Sequence, residues 1–453
     1  MEHKKFSYRH IDELKEEIVV SGVDLPVIEK LDILKTPLSL GGNMLSNRLA
    51  IHPMEGCDST ADGEPDELTL RRYKRFGSGG ASLVWFEACA INSVGRGNQR
   101  QLLLKRETLP TFKKMIDEIQ TSAKETMGEN FKPYTVLQLT HAGRYGKYPA
   151  NVPAIIAVSE NPYLDPVSSN RRYITDEELE QLEDQFVEAA RLSFEAGFNA
   201  VDIKACHRYL ISELLSAHTR EGKYGGSFEN RTRFLLNVIE KIKKSVNIDV
   251  TLRLNAYDAV PYPWGWGTDE KGLPSLDEPK RLMSILWEKG ISLINISTGV
   301  PAFIPHIGRP ADVGTYTAPE HPIESAARML NIIKEMKTAA PEMVVIGTGL
   351  SWFREFGANI AAACIEKGWM DIVGFGRQAF AYPDFALDII KEGKMLRRKC
   401  CIACTKCSEL MRFGGKTGCV IKDSKIYLPI WREATAGRTI MSTKKFEYPK
   451  INK

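Results

Sequence analysis

No stretch of the chain reaches the roughly 18 consecutive apolar residues that a membrane-crossing helix needs, so neither a transmembrane segment nor a membrane partner is expected. The opening MEHKKFSYRHIDELKEE lacks the apolar core of a secretory signal, and a cytoplasmic location is the expectation. No G-x-G-x-x-G occurs, so the glycine-rich strand-to-helix turn of a doubly wound dinucleotide fold is missing. No surplus of one charge exists either. The 61 basic and 57 acidic residues leave +4, too balanced for a nucleic-acid footprint. Lys444, Lys445, Lys450 and Lys453 read as a solvated basic tail. Cysteine is sparse along most of the chain, where Cys57, Cys89, Cys206 and Cys364 stand scattered. The other five of the nine, Cys400, Cys401, Cys404, Cys407 and Cys419, crowd near one end. An odd, clustered set points to metal or redox chemistry in a reducing compartment, not to a disulfide framework.

What the chain does have is length and alternation. At 453 residues and 43% apolar it can bury a large core without disulfides. Short apolar runs alternate with helical patterns from end to end. Strands are predicted at 48–52, 81–86, 134–139, 200–203, 249–254, 293–297, 343–348 and 371–374. These runs are continuous, as for parallel strands buried on both faces. Between them, Thr175 and Glu178 form a capping box for a helix that Gly197 stops. Further helices are predicted over 228–245, 278–290, 322–339 and 352–368. Eight right-handed βαβ units predict an α/β fold of (β/α)₈ TIM-barrel type, residues 41–395. Residues 1–40 form an N-terminal arm and residues 396–453 a cysteine-bearing extension.

A barrel collects its chemistry at the C-terminal strand ends. Gly349, Gly376 and Arg377 follow the last two strands and suit a phosphate, with backbone N–H groups close by and a guanidinium fork on its oxygens. Gln138 ends an apolar strand and can donate and accept, as the edges of a flavin ring require. Arg253 lies inside the apolar run VTLRLN, where a charge is costly unless paired. Either an anionic ligand such as reduced flavin or an internal salt bridge to Asp202 or another acid would answer that cost. After the fourth strand, Lys204 and His207 could polarise a carbonyl and Tyr209 could release a proton. The bland alternative makes Lys204 a solvated charge and Tyr209 a core residue.

The stretches NRLAIHPM, VLQLTHAGRYG, YGGSFENRTRF and DIVGFGR, with VDIKACHRYLISELL, resemble the old yellow enzyme family of NADH:flavin oxidoreductases, in order over residues 47–377. The resemblance implies an FMN-binding barrel with NAD(P)H as electron donor. It places Pro53, Met54, Glu55, Ala88, Gln138, Arg253, Gly349, Gly376 and Arg377 on family flavin contacts. Lys204 and His207 fall on the pair that binds the substrate carbonyl, where His with His or Asn is usual, and Tyr209 on the proton donor. The lysine departs from that pattern. The implied activity is reduction of an activated C=C bond in a small unsaturated substrate by hydride transfer from reduced FMN.

Cys401, Cys404, Cys407 and Cys419 have the spacing C-x2-C-x2-C-x11-C, which suits an iron–sulfur cluster or, alternatively, zinc. The arrangement is similar to that of the 2,4-dienoyl-CoA reductase and trimethylamine dehydrogenase branch, which implies a 4Fe-4S cluster. That branch usually has three residues between its second and third cysteines, so adjacent Cys400 is a substitute ligand to consider. His306 and Arg309 follow the sixth strand and are expected to contact substrate, Arg309 holding an anionic group. The other reading is a loop fixed by Pro301, Pro305 and Pro310. The loop carrying Trp264 and Trp266 is expected to shape the substrate pocket. Competing functions are oxidation of a substrate such as an amine, and service as an electron-transfer subunit. A separate reductase or ferredoxin, and a second copy of the chain, are the protein partners to consider.

Overall fold

The computed structural model describes residues 1–147, 155–165 and 171–438; the basic tail read from the sequence lies outside them. Eight parallel strands close into a barrel. In chain order they are β1 Leu49–Ile51, β2 Leu83–Ala90, β3 Tyr134–Thr140, β4 Ala200–Ile203, β5 Asp249–Tyr257, β6 Leu293–Thr298, β7 Val344–Gly347 and β8 Ile372–Phe375. The ring closes where Phe375 of β8 pairs with Ile51 of β1. Every residue of β2, β3, β4 and β6 is buried. Barrel strands cover one face with the interior and the other with helices, which explains runs that are apolar throughout.

The outer helices are α1 Glu67–Gly77, α2 Leu109–Met127, α3 Asp176–Ala196, α4 Phe228–Ser245, α5 Asp277–Glu288, α6 Pro322–Ala339, α7 Gly357–Glu366 and α8 Phe385–Glu392. The capping box on α3 forms as predicted, and Gly197 ends the helix in the left-handed region at φ 94°. The single helix predicted over 352–368 is instead two pieces. A 3₁₀ segment, Leu350–Phe356, breaks at Arg354 (φ 51°, ψ −123°) before α7 begins. Strand β2 is shifted later than its predicted 81–86, and β5 runs three residues further than predicted.

Leu40 and Leu45, on a short hairpin before β1, pack with Trp85, Val136 and Ile346 in the barrel's interior layer. The N-terminal segment lies across the outside, with Phe6 edge-on to Trp352 and its amide bound to Asp312. After α8 the chain returns over the mouth. Its last two helices, α9 Lys406–Arg412 and α10 Ser424–Thr435, share a small core of Leu410, Val420 and Tyr427. Asp423 anchors them to Arg71 and Arg75 of α1, and the Thr417 amide donates to the Gly56 carbonyl at 2.6 Å. Among the described residues no helix is long and apolar enough to cross a membrane.

Candidate functional site

Asp202 organises the mouth of the barrel. The β3–β4 register sets Gln138 beside it. Gln138 Nε2 donates to Asp202 Oδ2 at 2.6 Å, Trp85 Nε1 to the same oxygen at 2.8 Å, and the Arg253 backbone N–H to Oδ1 at 2.7 Å. Burial nevertheless raises this carboxyl to about 6. The carboxylate therefore meets the Arg253 main chain and not its guanidinium; among the described residues the Arg253–Asp202 salt bridge is not formed. Arg253 Nε is buried without a partner, and desolvation lowers the side chain's pKa. His52, at the end of β1, faces Asn295 Nδ2 at 2.8 Å and the Gly347 carbonyl at 3.3 Å. Burial first and Arg253 second push its pKa well down, so the ring is neutral.

The chain leaves β4 through two consecutive non-glycine residues in left-handed conformation, His207 (φ 61°) and Arg208 (φ 62°). Such backbone costs on the order of 1–3 kcal/mol per residue and persists only where its surroundings hold it. The Arg208 guanidinium supplies that hold, bonded to the Trp264 carbonyl and 3.5 Å from Asp258. The turn folds Tyr209 back beneath Lys204. Lys204 Nζ lies 3.3 Å from the phenol ring centre and 3.7 Å from Glu55 Oε1, while the Tyr209 hydroxyl reaches the same oxygen at 3.3 Å. His207 Nε2 is 2.9 Å from Ser297 Oγ on β6. Burial, reinforced by Glu55, raises Tyr209 well above 10 and keeps its proton on the phenol. Burial also lowers Lys204, with Glu55 opposing, and lowers His207 well below the usual imidazole value.

Ala88 pairs with Gln138 just after a register shift in β2. Gly349 (φ 94°) and Gly376 follow β7 and β8. A Cβ on Gly376 would come within 2.9 Å of Met54 Sδ, so the backbone there stays bare beside Pro53–Met54. Arg377 Nη2 donates to the Pro310 carbonyl at 2.7 Å, and its Nη1 is buried without a partner. Two partnerless guanidinium nitrogens, on Arg253 and Arg377, and the bare backbone at Gly376 fit a flat, anionic, phosphate-bearing cofactor such as FMN.

Arg377 also lines a small pocket with Cys401, Cys404, Cys407 and Cys419. Ala403 and Thr405 adopt left-handed conformations that bend the chain around it. Backbone amides of Ala403 and Lys422 donate to the Cys401 and Cys419 sulfurs at 3.4 and 3.3 Å. Cys400 is turned away, its Sγ 3.5 Å from the Leu396 carbonyl, so the substitute-ligand reading is not supported. As placed, no three His, Cys, Asp or Glu side chains among the described residues form a ready metal site.

His306 and Arg309 lie beside the extension, with the Arg309 charge still reaching His207 and lowering its pKa. The loop after β6 forms a short helix, Pro305–Gly308, and turns toward the extension. There the two line a separate cavity with Tyr316, Glu320, Ser408 and Arg412. His306 Nδ1 is 2.8 Å from the Tyr316 hydroxyl, and Arg309 Nη1 donates to Ser408 at 2.9 Å. Trp266 is a core residue, its indole bonded to the Asn255 carbonyl at 2.8 Å. Asn295, Ser297 and the second partner role of Glu55 escaped the sequence reading, which named Asp202 only as a salt-bridge partner for Arg253 and not as the partner of Gln138 and Trp85. Only Asp202 had a signal, an acid inside the apolar strand AVDI.

The model of the NADH:flavin oxidoreductase / NADH oxidase family matches residues 34–279. NADPH dehydrogenase of Bacillus subtilis (strain 168) is 27% identical over 365 residues, covering 79% of this chain and 94% of its own. The solved complex of 2-naphthoyl-CoA reductase with 2-naphthoyl-CoA superposes with a TM-score of 0.72 at 21% identity, over 90% of this chain and 58% of that one. Histamine dehydrogenase from Rhizobium sp. 4-9 superposes at 0.66 and 19% identity, over 86% and 52%. The chain thus spans little more than half the length of those two structures, and at these identities they show the shared fold.

Proposed function

The chain belongs to the NADH:flavin oxidoreductase / NADH oxidase family, and from that premise we propose that it is an FMN-dependent ene-reductase acting on a small substrate whose C=C bond is activated by a carbonyl. The enzyme class, an NAD(P)H-dependent flavin oxidoreductase, follows from the family. The observation that carries the finer reading is the cluster of Lys204, Tyr209 and Glu55 beside His207.

Gln138 and Arg253 would hold the polar edge of the flavin ring, with Pro53, Met54, Glu55 and Ala88 around it. Gly349, Gly376 and Arg377 would take its phosphate. Bound FMN would supply two-electron, hydride-donating chemistry. The chain's own contribution is polarisation and proton delivery. Lys204 and neutral His207 donate hydrogen bonds to the substrate carbonyl, drawing charge away from the double bond. Tyr209, kept protonated by burial, gives its proton to the carbon next to that carbonyl. Glu55 orients both partners, and Ser297 fixes the His207 ring.

The four cysteines would hold a 4Fe-4S cluster, which would supply one-electron transfer. Sulfurs set around a pocket, with backbone N–H donors on two of them, support this over a zinc ion gripped at one point. Amine oxidation is the second reading, prompted by the likeness to histamine dehydrogenase. A cation at Lys204 would repel a protonated amine, which favours the carbonyl substrate. We assign residues 1–40 as an arm, 41–395 as the barrel and 396–453 as the cluster-bearing extension.

The test is anaerobic purification followed by an absorption spectrum with flavin, iron and sulfide assays, then turnover of cyclohexenone with NADPH and NADH. Bound FMN and reduction of the enone support the proposal. Failure to retain FMN after reconstitution would overturn it.

A further inference from the structure

Charge is divided unevenly along this nearly balanced chain. Residues 396–438 hold ten basic and three acidic side chains, whereas residues 1–395 are net acidic. Arg397, Lys399 and Lys416 are committed to Glu355, to Asp384 with Asp388, and to Asp66. Arg398, Arg412, Lys422, Lys425 and Arg432 are exposed and make no ion pair among the described residues. These free cations belong to the segment that forms the cysteine pocket. Lys422 lines that pocket and its Nζ donates to the Arg398 carbonyl at 2.7 Å, which brings Arg398 to the same rim. Lys425 is on the first turn of α10, just beyond. Ile421, also lining the pocket, is 37% exposed. Cys404, Cys407 and Cys419 are themselves partly exposed, so the thiols lie near this surface.

An exposed apolar residue beside several unpaired cations is the pattern of a transient, electrostatically steered encounter surface. Unpaired cations held close together repel one another, and an acidic partner relieves that repulsion. On the inner side, Arg377 of the pocket wall and the neighbouring Arg309 add positive potential at Cys401 and Cys407.

We propose that the rim formed by Arg398, Lys422 and Lys425 around Ile421 docks a small acidic iron–sulfur carrier protein of the ferredoxin type, which delivers electrons singly at the cysteine centre. The proposal rests on the reading of those cysteines as an iron–sulfur site. Each docked carrier is oxidised by one electron. Two successive dockings supply the two electrons that, with two protons, convert one C=C bond to CH–CH.

The test uses the holoenzyme and a recombinant acidic bacterial ferredoxin, reduced under anaerobic conditions. Association is followed by biolayer interferometry, and ferredoxin reoxidation by stopped flow, at 20 and 500 mM salt. The wild type is compared with the double variant Arg398→Glu, Lys425→Glu. The expected result is binding and reoxidation at least tenfold weaker in high salt and in the double variant. FMN content, iron content and NADPH-driven flavin reduction should stay unchanged, which shows that the variant is folded. Reoxidation insensitive to both salt and charge reversal, with iron and flavin intact, would overturn the docking site. So would binding of duplex DNA as tight as that of ferredoxin. Protein that keeps FMN but holds no iron would instead defeat the underlying cluster reading, and the proposal with it.

Discussion

The Lys204 ammonium sits over the face of the Tyr209 ring, its nitrogen 3.3 Å from the ring centre, and both side chains reach one oxygen of Glu55. A cation desolvated over an aromatic face gains on the order of 2 kcal/mol. Burial lowers Lys204, with the Glu55 carboxyl opposing that shift, and burial reinforced by Glu55 keeps the proton on Tyr209. One largely enclosed triad thus holds a cation and a phenol side by side at the barrel mouth.

Tyr209→Phe should keep the stacking surface and lose the proton. Reoxidation of the reduced enzyme by an enone should slow by about 10²–10⁴-fold, while flavin reduction by NADPH stays nearly unchanged. Stopped-flow measurement of the two half-reactions decides; equal slowing of both would remove Tyr209 from the chemistry.

Arg253→Met separates two roles. The guanidinium has a buried nitrogen without a partner, so removing it should raise the thermal midpoint of the apoprotein by a few degrees. In the FMN-loaded protein the sign reverses: cofactor affinity falls and the flavin midpoint potential becomes more negative, because the cation that favours the reduced ring is gone. Thermal scans of both forms with a spectroelectrochemical titration test the pair. A destabilised apoprotein would show that Arg253 has an internal partner after all.

Acid should weaken the fold through its buried histidines. His141 is lowered from 6.5 to about 4 by burial first and Arg172 second. A base with a depressed folded pKa binds protons more readily when unfolded. Its stability contribution is therefore present above pH 6.5 and lost as pH falls from 6.5 toward 4. For His141 that is on the order of 3 kcal/mol. His141→Asn leaves an acceptor for the Gly143 amide, which donates to His141 Nδ1 at 3.2 Å. Denaturant unfolding at pH 7 and pH 4.5 should show a smaller loss in this variant than in the wild type; identical losses would refute the assignment.

The neighbouring thiols Cys400 and Cys401 should behave differently. Cys401→Ser should abolish bound iron and sulfide, whereas Cys400→Ser should retain both, because the Cys400 sulfur points to the Leu396 carbonyl and away from the pocket. Iron and sulfide assays on the two variants suffice, and iron loss from Cys400→Ser would contradict the placement.

The barrel was legible because its signals are local. Continuous apolar runs marked all eight strands, and the Thr175–Glu178 box with Gly197 marked both ends of α3. The predicted 352–368 helix failed at Arg354, where a left-handed residue breaks the helix. Nothing in the residue type signals that break. Lys204, His207 and Tyr209 sat close enough in sequence to be read together, as did the four cysteines of the pocket. Glu55 stands 154 residues before Tyr209, and His52 stands 243 before Asn295; such partners meet only once the barrel closes.

By itself, then, the sequence determined the alternating strands and helices, the closed parallel sheet, and the set of polar residues at the strand ends. Each depends on periodicity and on the cost of burying a charge, which are properties of short segments. The tertiary structure decided which of those residues meet. It gave Asp202 to Gln138, Trp85 and the Arg253 backbone, leaving the Arg253 guanidinium open to an anion. It set His306 against Tyr316 and Arg309 against Ser408 of the extension, and it separated Cys400 from its neighbours. These outcomes depend on strand register and on the direction in which each loop leaves the barrel, and both are set by packing between segments far apart in the chain.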